Sequence, residues 1–143
     1  MIPTPAELET LREAGRIASD ARNWAAETIE PGYLLRDLQE GMEAMIREAG
    51  ALPPFPAQTS RNNVAAHFCS SPSDNYKFEE NDLVKIDVGA HIDGLIVDTG
   101  VSADLSEDQR WAGMIGAASD ALDAAIGMCA PNMDVEDIGE RVE

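Results

Sequence analysis

Asp87 and Asp98 are the first pair whose type and spacing could do chemistry. They stand in two apolar runs, Leu83 to Ile92 and Leu95 to Ser102, separated by Asp93-Gly94. That dipeptide between apolar runs is a strong signal for a two-residue hairpin turn. With such a turn Ile92 pairs with Leu95, which places Asp87 opposite Gly100 and Asp98 opposite Gly89. Counting by twos puts both carboxylates on one face as diagonal neighbours, within reach of one small ion. The other face carries Val84, Ile86, Val88, Leu95, Val97 and Val101 and is the expected core face. Two carboxylates held together on a half-buried sheet repel, so one takes a proton or a cation sits between them. Divalent metal ions suit hard oxygen ligands of this kind. The spacing alone fits equally well a solvated acidic pair, whose repulsion solvent and salt weaken.

The elements that would position this pair are legible on both sides. Thr4-Pro5-Ala6-Glu7 opens a helix with a capping threonine, proline at the first helical position and glutamate three residues after the cap. Leu8, Leu11, Ala14, Ala18, Ala21 and Ala25 follow at helical spacing, and Glu30-Pro31-Gly32 stops the helix. A second helix carries Leu35, Leu38, Met42, Met45 and Ala49 and ends at Gly50. From Ala51 to Asn81 prolines, serines and asparagines predict irregular chain with short extended pieces at most. An ordered loop of this length is usually functional, and this one holds Phe55, Phe68, Tyr76 and Phe78. Ser106-Glu107-Asp108-Gln109 reads as a second capping box, opening a helix that buries Trp111, Met114, Ala118, Leu122, Ala125 and Cys129. Asp134 is placed to cap a last helix ending at Glu143. The predicted class is α+β, an antiparallel hairpin sheet covered by helices.

Composition excludes several functions. The chain has 143 residues and a formal charge of −17, with Lys77 and Lys85 its only lysines. Such a surface repels nucleic acid and anionic membranes. It reads either as an ordinary acidic surface or as an adaptation to a high-salt cytoplasm. No apolar run approaches the ~18 residues that cross a bilayer, and Met1 to Pro5 lacks a signal-peptide pattern. Cys69 and Cys129 lack metal-type spacing and read as reduced thiols of a cytoplasmic protein. His67 alone reads as a loop histidine held by backbone groups. Cys69 nearby has no nucleophilic triad around it and reads as packing.

Longer segments carry a resemblance. Phe55-Pro56-Ala57-Gln58-Thr59-Ser60-Arg61-Asn62-Asn63-Val64-Ala65-Ala66-His67 resembles the stretch preceding the metal hairpin in archaeal and eukaryotic type 2 methionine aminopeptidases. Lys85-Ile86-Asp87-Val88-Gly89-Ala90-His91-Ile92-Asp93-Gly94, followed by Ile96-Val97-Asp98-Thr99, resembles the hairpin itself. The order of helices also follows the family, so the resemblance covers essentially the whole chain. It implies the N-terminal half of a pita-bread fold, with residues 1–143 a single partial catalytic domain. It further implies removal of the N-terminal methionine of nascent polypeptides by water activated between two divalent metal ions, whether cobalt, manganese, iron or zinc.

By that resemblance Asp87 and Asp98 are two of the family's five metal ligands. His67 is the catalytic histidine that contacts substrate near the scissile bond, and Phe55 is a wall of the methionine pocket. A flat aromatic suits a thioether. An imidazole beside cations can hold the peptide or donate to a developing oxyanion. His91 also occurs in the family pattern and reads as structural. The remaining ligands, a histidine and two glutamates, belong to the family's second half, and no residue of this chain is assigned to them. The chain is therefore expected to bind metal weakly, to be inactive alone, and to expose apolar surface through which it could dimerise. A pita-bread peptidase acting on X-Pro bonds and a metal-free relative serving as a protein-binding module are the competing readings.

Overall fold

The helix signal at Thr4 is realised in full. In the computed structural model, which describes residues 3–142, the Glu7 amide donates to Thr4 Oγ1 at 3.3 Å and the Thr4 amide donates to Glu7 Oε2 at 2.6 Å. Both halves of the capping box therefore form at the start of α1 (Pro5–Thr28). The helix buries Ala14, Ile17, Ala18, Ala21 and Ala25. Small side chains on this stripe let the helix approach the sheet closely; a Cβ at Gly15 would stand 3.7 Å from Val97 Cγ1. Leu8, expected on the stripe, is 40% exposed; the first buried position of the helix is Ala14. The readings that fell on Met1, Ile2 and Glu143, a missing leader and the end of the last helix, lie outside the described residues.

Helix α2 (Leu35–Glu48) buries Leu35, Leu38, Gln39, Met42 and Ile46. The expected stripe differed here: Ile46 takes the inward position, Met45 is half-buried, and Ala49 lies exposed at the C-cap. Steps of four from Leu38 through Met42 to Ile46 keep one face inward, whereas Ala49 lies beyond the last helical residue. Gly41 on this helix meets the ring of Trp24 from α1, so a larger residue would push the two helices apart.

The sheet has three antiparallel strands, β1 (Gln58–Arg61), β2 (Leu83–Ile92) and β3 (Leu95–Asp104), in the order β1-β2-β3. The hairpin was expected; β1, four residues long, is a short extended piece of the kind allowed for in residues 51–81, and it adds a third strand to the hairpin. Val84, Ile86, Val88 and Ala90 are buried on the face that meets α1, with Val101 and Ala103 packed against them. Leu95 and Val97, expected on that core face, are half-buried. Phe78 fills the interior beside Leu35 and Leu38. The α+β class and its helix-covered antiparallel sheet are thus as anticipated.

The chain forms two compact units, Met1–Glu107 and Asp108–Glu143. The second contains α3 (Ala112–Met128) and α4 (Val135–Val142), and Asp134 Oδ1 accepts the Glu136 amide at 3.1 Å at the start of α4. Two expectations fail here. Ser106 does not cap a helix; its hydroxyl and amide both donate to Asp104 Oδ1, and α3 begins only after Gln109 has taken a positive φ of 51°. Nor does α3 bury its apolar side chains: Met114, Leu122 and Ile126 are all more than half exposed, and no α3 residue is buried. Its short partner α4 is too small to cover them. Among the described residues no helix is long and apolar enough to cross a membrane.

Candidate active site

The hairpin register places the aspartates as the spacing predicted. Ile92 pairs with Leu95, Asp87 with Gly100, and Gly89 with Asp98. Asp93 and Gly94 take φ of 53° and 82°, the doubly left-handed turn that matches strand twist. Burial pushes the Asp87 carboxyl above the usual carboxylate range. The Asp98 charge and a side-chain hydrogen bond with Asp98 add to the rise, while the nearby His67 opposes it. The Asp87 carboxyl is therefore within electrostatic reach of both the Asp98 carboxyl and the His67 imidazole.

Lys85 shares the aspartate face, but its ammonium donates to the Asn62 carbonyl at 2.6 Å. The strained carboxylate pair thus suits a divalent cation, which would relieve its repulsion with hard oxygen donors. Among the described residues no group of three or more His, Cys, Asp and Glu is arranged to hold a metal.

Phe55 reaches this face because of its prolines. Leu52 and His91 exchange two backbone hydrogen bonds, of 3.0 and 2.8 Å, and Gln58 pairs with Asp87. Between these anchors residues 53–57 face only residues 88–90, so the chain must bulge. Pro53, Pro54 and Pro56 have no N–H for the ladder, and the bulge falls on them. Its ring settles over Gly89, where an added Cβ would lie 2.9 Å from Phe55 Cε1 and Cζ. Gly89 is the residue paired with Asp98, so a half-exposed aromatic wall stands beside the carboxylates.

His67 sits on an exposed loop with φ of 67°, a conformation uncommon outside glycine. Its amide donates to Gln58 Oε1 at 3.0 Å, and Gln58 is the residue paired with Asp87. The next amide, Phe68, donates to Ser60 Oγ at 3.3 Å, and the Phe68 carbonyl accepts from the Thr59 amide at 3.1 Å. Gln58 and Gln39 went unnoticed in the sequence. The signals were a polar residue in the apolar stripe of α2 and the polar alternation Gln58, Ser60 on a strand beside Asp87. His91 Nδ1 accepts the Gly94 amide at 3.3 Å, a role at the turn. Cys69 is exposed, and its thiol is pushed up by burial first, then by Glu43 and Asp87.

The model of metallopeptidase family M24 matches residues 9–143. The methionine aminopeptidase of Archaeoglobus fulgidus is 44% identical over 135 residues, which are 94% of this chain and 45% of that protein. That of Methanocaldococcus jannaschii is 39% identical over the same shares of each chain. Among solved structures, methionine aminopeptidase from Thermotoga maritima superposes with a TM-score of 0.90 at 26% identity, covering 99% of this chain and 59% of that one. Prolidase from Pyrococcus furiosus gives 0.82 at 23% identity over 99% and 42%, a likeness of fold alone. The chain spans a little under half the length of the curated relatives it matches.

Proposed function

This chain belongs to metallopeptidase family M24, and from that premise we propose that it is the N-terminal half of a pita-bread methionine aminopeptidase of type 2. The observation that carries the reading is the convergence of Asp87, Asp98, His67 and Phe55 on one face of the sheet. Asp87 and Asp98 would hold divalent ions, of cobalt, manganese, iron or zinc, with further ligands from outside this chain. When bound, such ions act as Lewis acids and lower the pKa of water toward neutrality. His67 contacts the first peptide bond of the substrate, holding it in place or donating to the oxygen on which negative charge develops. Phe55 packs against the thioether of an N-terminal methionine and keeps water from that wall of the pocket. The products are free methionine and a shortened chain.

The partner is the N-terminal methionine of a nascent polypeptide. The net charge of −17 opposes nucleic acid as a partner. Two free cysteines, both exposed, support a cytoplasmic setting. The X-Pro alternative rests on fold likeness alone, whereas the methionine reading has archaeal relatives at 39% and 44% identity. The test is methionine release from a Met-Ala-Ser peptide with manganese or cobalt, by this chain and by a version extended to the relatives' length. Release by the extended version, lost on Asp87→Asn or Asp98→Asn, is expected. No release by the extended version would sink the reading.

A further inference from the structure

We propose that Gln39 is a positioning residue for His67, setting the imidazole against the aspartate pair by bracing its loop from the protein interior. The inference rests on the reading of His67 as the substrate-facing group. Gln39 is only 5% exposed and lies in the buried stripe of α2, among Leu35, Leu38 and Met42, where an apolar residue would be the ordinary choice. Its amide is fully used. Nε2 donates to Thr59 Oγ1 at 2.7 Å and to the Phe68 carbonyl at 3.2 Å, while Oε1 accepts the Ser70 amide at 2.8 Å. One side chain thus grips the backbone on both sides of residue 69 and ties it to β1.

The grip is needed because of what precedes it. His67 holds a positive φ without being glycine, and such conformations persist only where the surroundings over-determine them. Residues 62–67 are all exposed, so packing cannot hold the imidazole. Gln58 and Ser60 fix the loop from the aspartate face, through the amides of His67 and Phe68. Gln39 fixes it from the helix behind. Removing it frees the loop to leave the left-handed conformation and swing the imidazole away from Asp87.

His67 and His91 are the chain's only histidines, so histidine-selective isotope labelling of the full chain resolves a probe and a fold reference in one NMR spectrum. Three variants are compared. Gln39→Met keeps the shape and loses all three bonds. Gln39→Glu keeps an acceptor for Ser70 but loses the donors. Ile46→Val loosens the same buried face of α2 without touching the loop. Expected for Gln39→Met are amide exchange at His67 faster by tenfold or more, a shifted His67 imidazole, an unmoved His91, and at least twofold weaker broadening of His67 by added manganese. Gln39→Glu should fall between Gln39→Met and the parent chain. Ile46→Val should lower the melting temperature and move none of these signals. His67 signals unchanged in Gln39→Met, or changed equally in Ile46→Val, would overturn the proposal. A parent chain whose His67 is not broadened by manganese, or is still broadened with both aspartates replaced by asparagine, would instead overturn the metal-site reading; the exchange comparison would stand.

Discussion

Gly89 shows how a single residue constrains the candidate site. It pairs with Asp98, and the space where its side chain would be is taken by the Phe55 ring. An alanine there would put Cβ 2.9 Å from the ring and 2.8 Å from the Val97 carbonyl oxygen. The ring can tilt, but a carbonyl inside a paired strand cannot. Overpacking of this kind costs about 1–3 kcal/mol, so Gly89→Ala should lower the denaturant midpoint and displace Phe55. Gly100→Ala, with only the Ile86 carbonyl at 3.1 Å, should cost less. Asp87 makes a second prediction at this scale. Its carboxyl is raised by burial and by Asp98, so the folded chain binds a proton more tightly than the unfolded one. The contribution of Asp87 to the stability of the metal-free chain is then fully present below the ordinary carboxylate range and is lost as pH rises through its raised titration. Melting temperatures measured across that window should show that loss in the parent chain and not in Asp87→Asn. Because manganese competes with that proton, its stabilising effect should grow as pH rises through the same window. A stabilisation by manganese independent of pH and of Asp87 would contradict the assignment.

Elements differ in how openly the sequence declared them, and the difference is physical. The start of α1 and the hairpin turn are local: the capping box and the Asp93-Gly94 turn use residues within three positions of each other, so their signals survive without knowledge of the rest. Thr4→Ala should accordingly cost about 0.5–2 kcal/mol, read from a denaturant midpoint, with the hairpin's amide exchange unchanged. The pairing of Asp87 with Gly100 was also legible, because a two-residue turn fixes every later pair. Strand β1 was not legible. Gln58–Arg61 has no apolar alternation and becomes a strand only because β2 offers it an edge. The Ser106 capping box looked local too, but Asp104 sits two residues upstream and takes the Ser106 amide and hydroxyl. A competing acceptor at that distance defeats a motif that ignores it. In the candidate site, the shared face of Asp87 and Asp98 could be read from periodicity, whereas their choice as ligands, like His67 and Phe55, depended on family resemblance. The positions of His67 and Phe55 follow from a loop tie to Gln58 and a proline bulge, neither of which has a period.

At the scale of the molecule, two features act against each other. The net charge of −17 favours separation of chains and strains each one by self-repulsion. The exposed Met114, Leu122 and Ile126 of α3 favour association. Salt decides between them, because it shortens the reach of charge from about 10 Å at 0.1 M to about 3 Å at 1 M while leaving apolar attraction intact. Sedimentation of the chain should therefore show monomers at low salt and a growing dimer fraction as sodium chloride is raised. Leu122→Lys with Ile126→Glu leaves the net charge unchanged, since one charge of each sign is added, so it isolates the apolar contribution. That double variant should stay monomeric at high salt while its thermal stability still rises with salt. If the double variant dimerises as readily as the parent, α3 is not the associating face, and screening alone accounts for whatever assembly is seen.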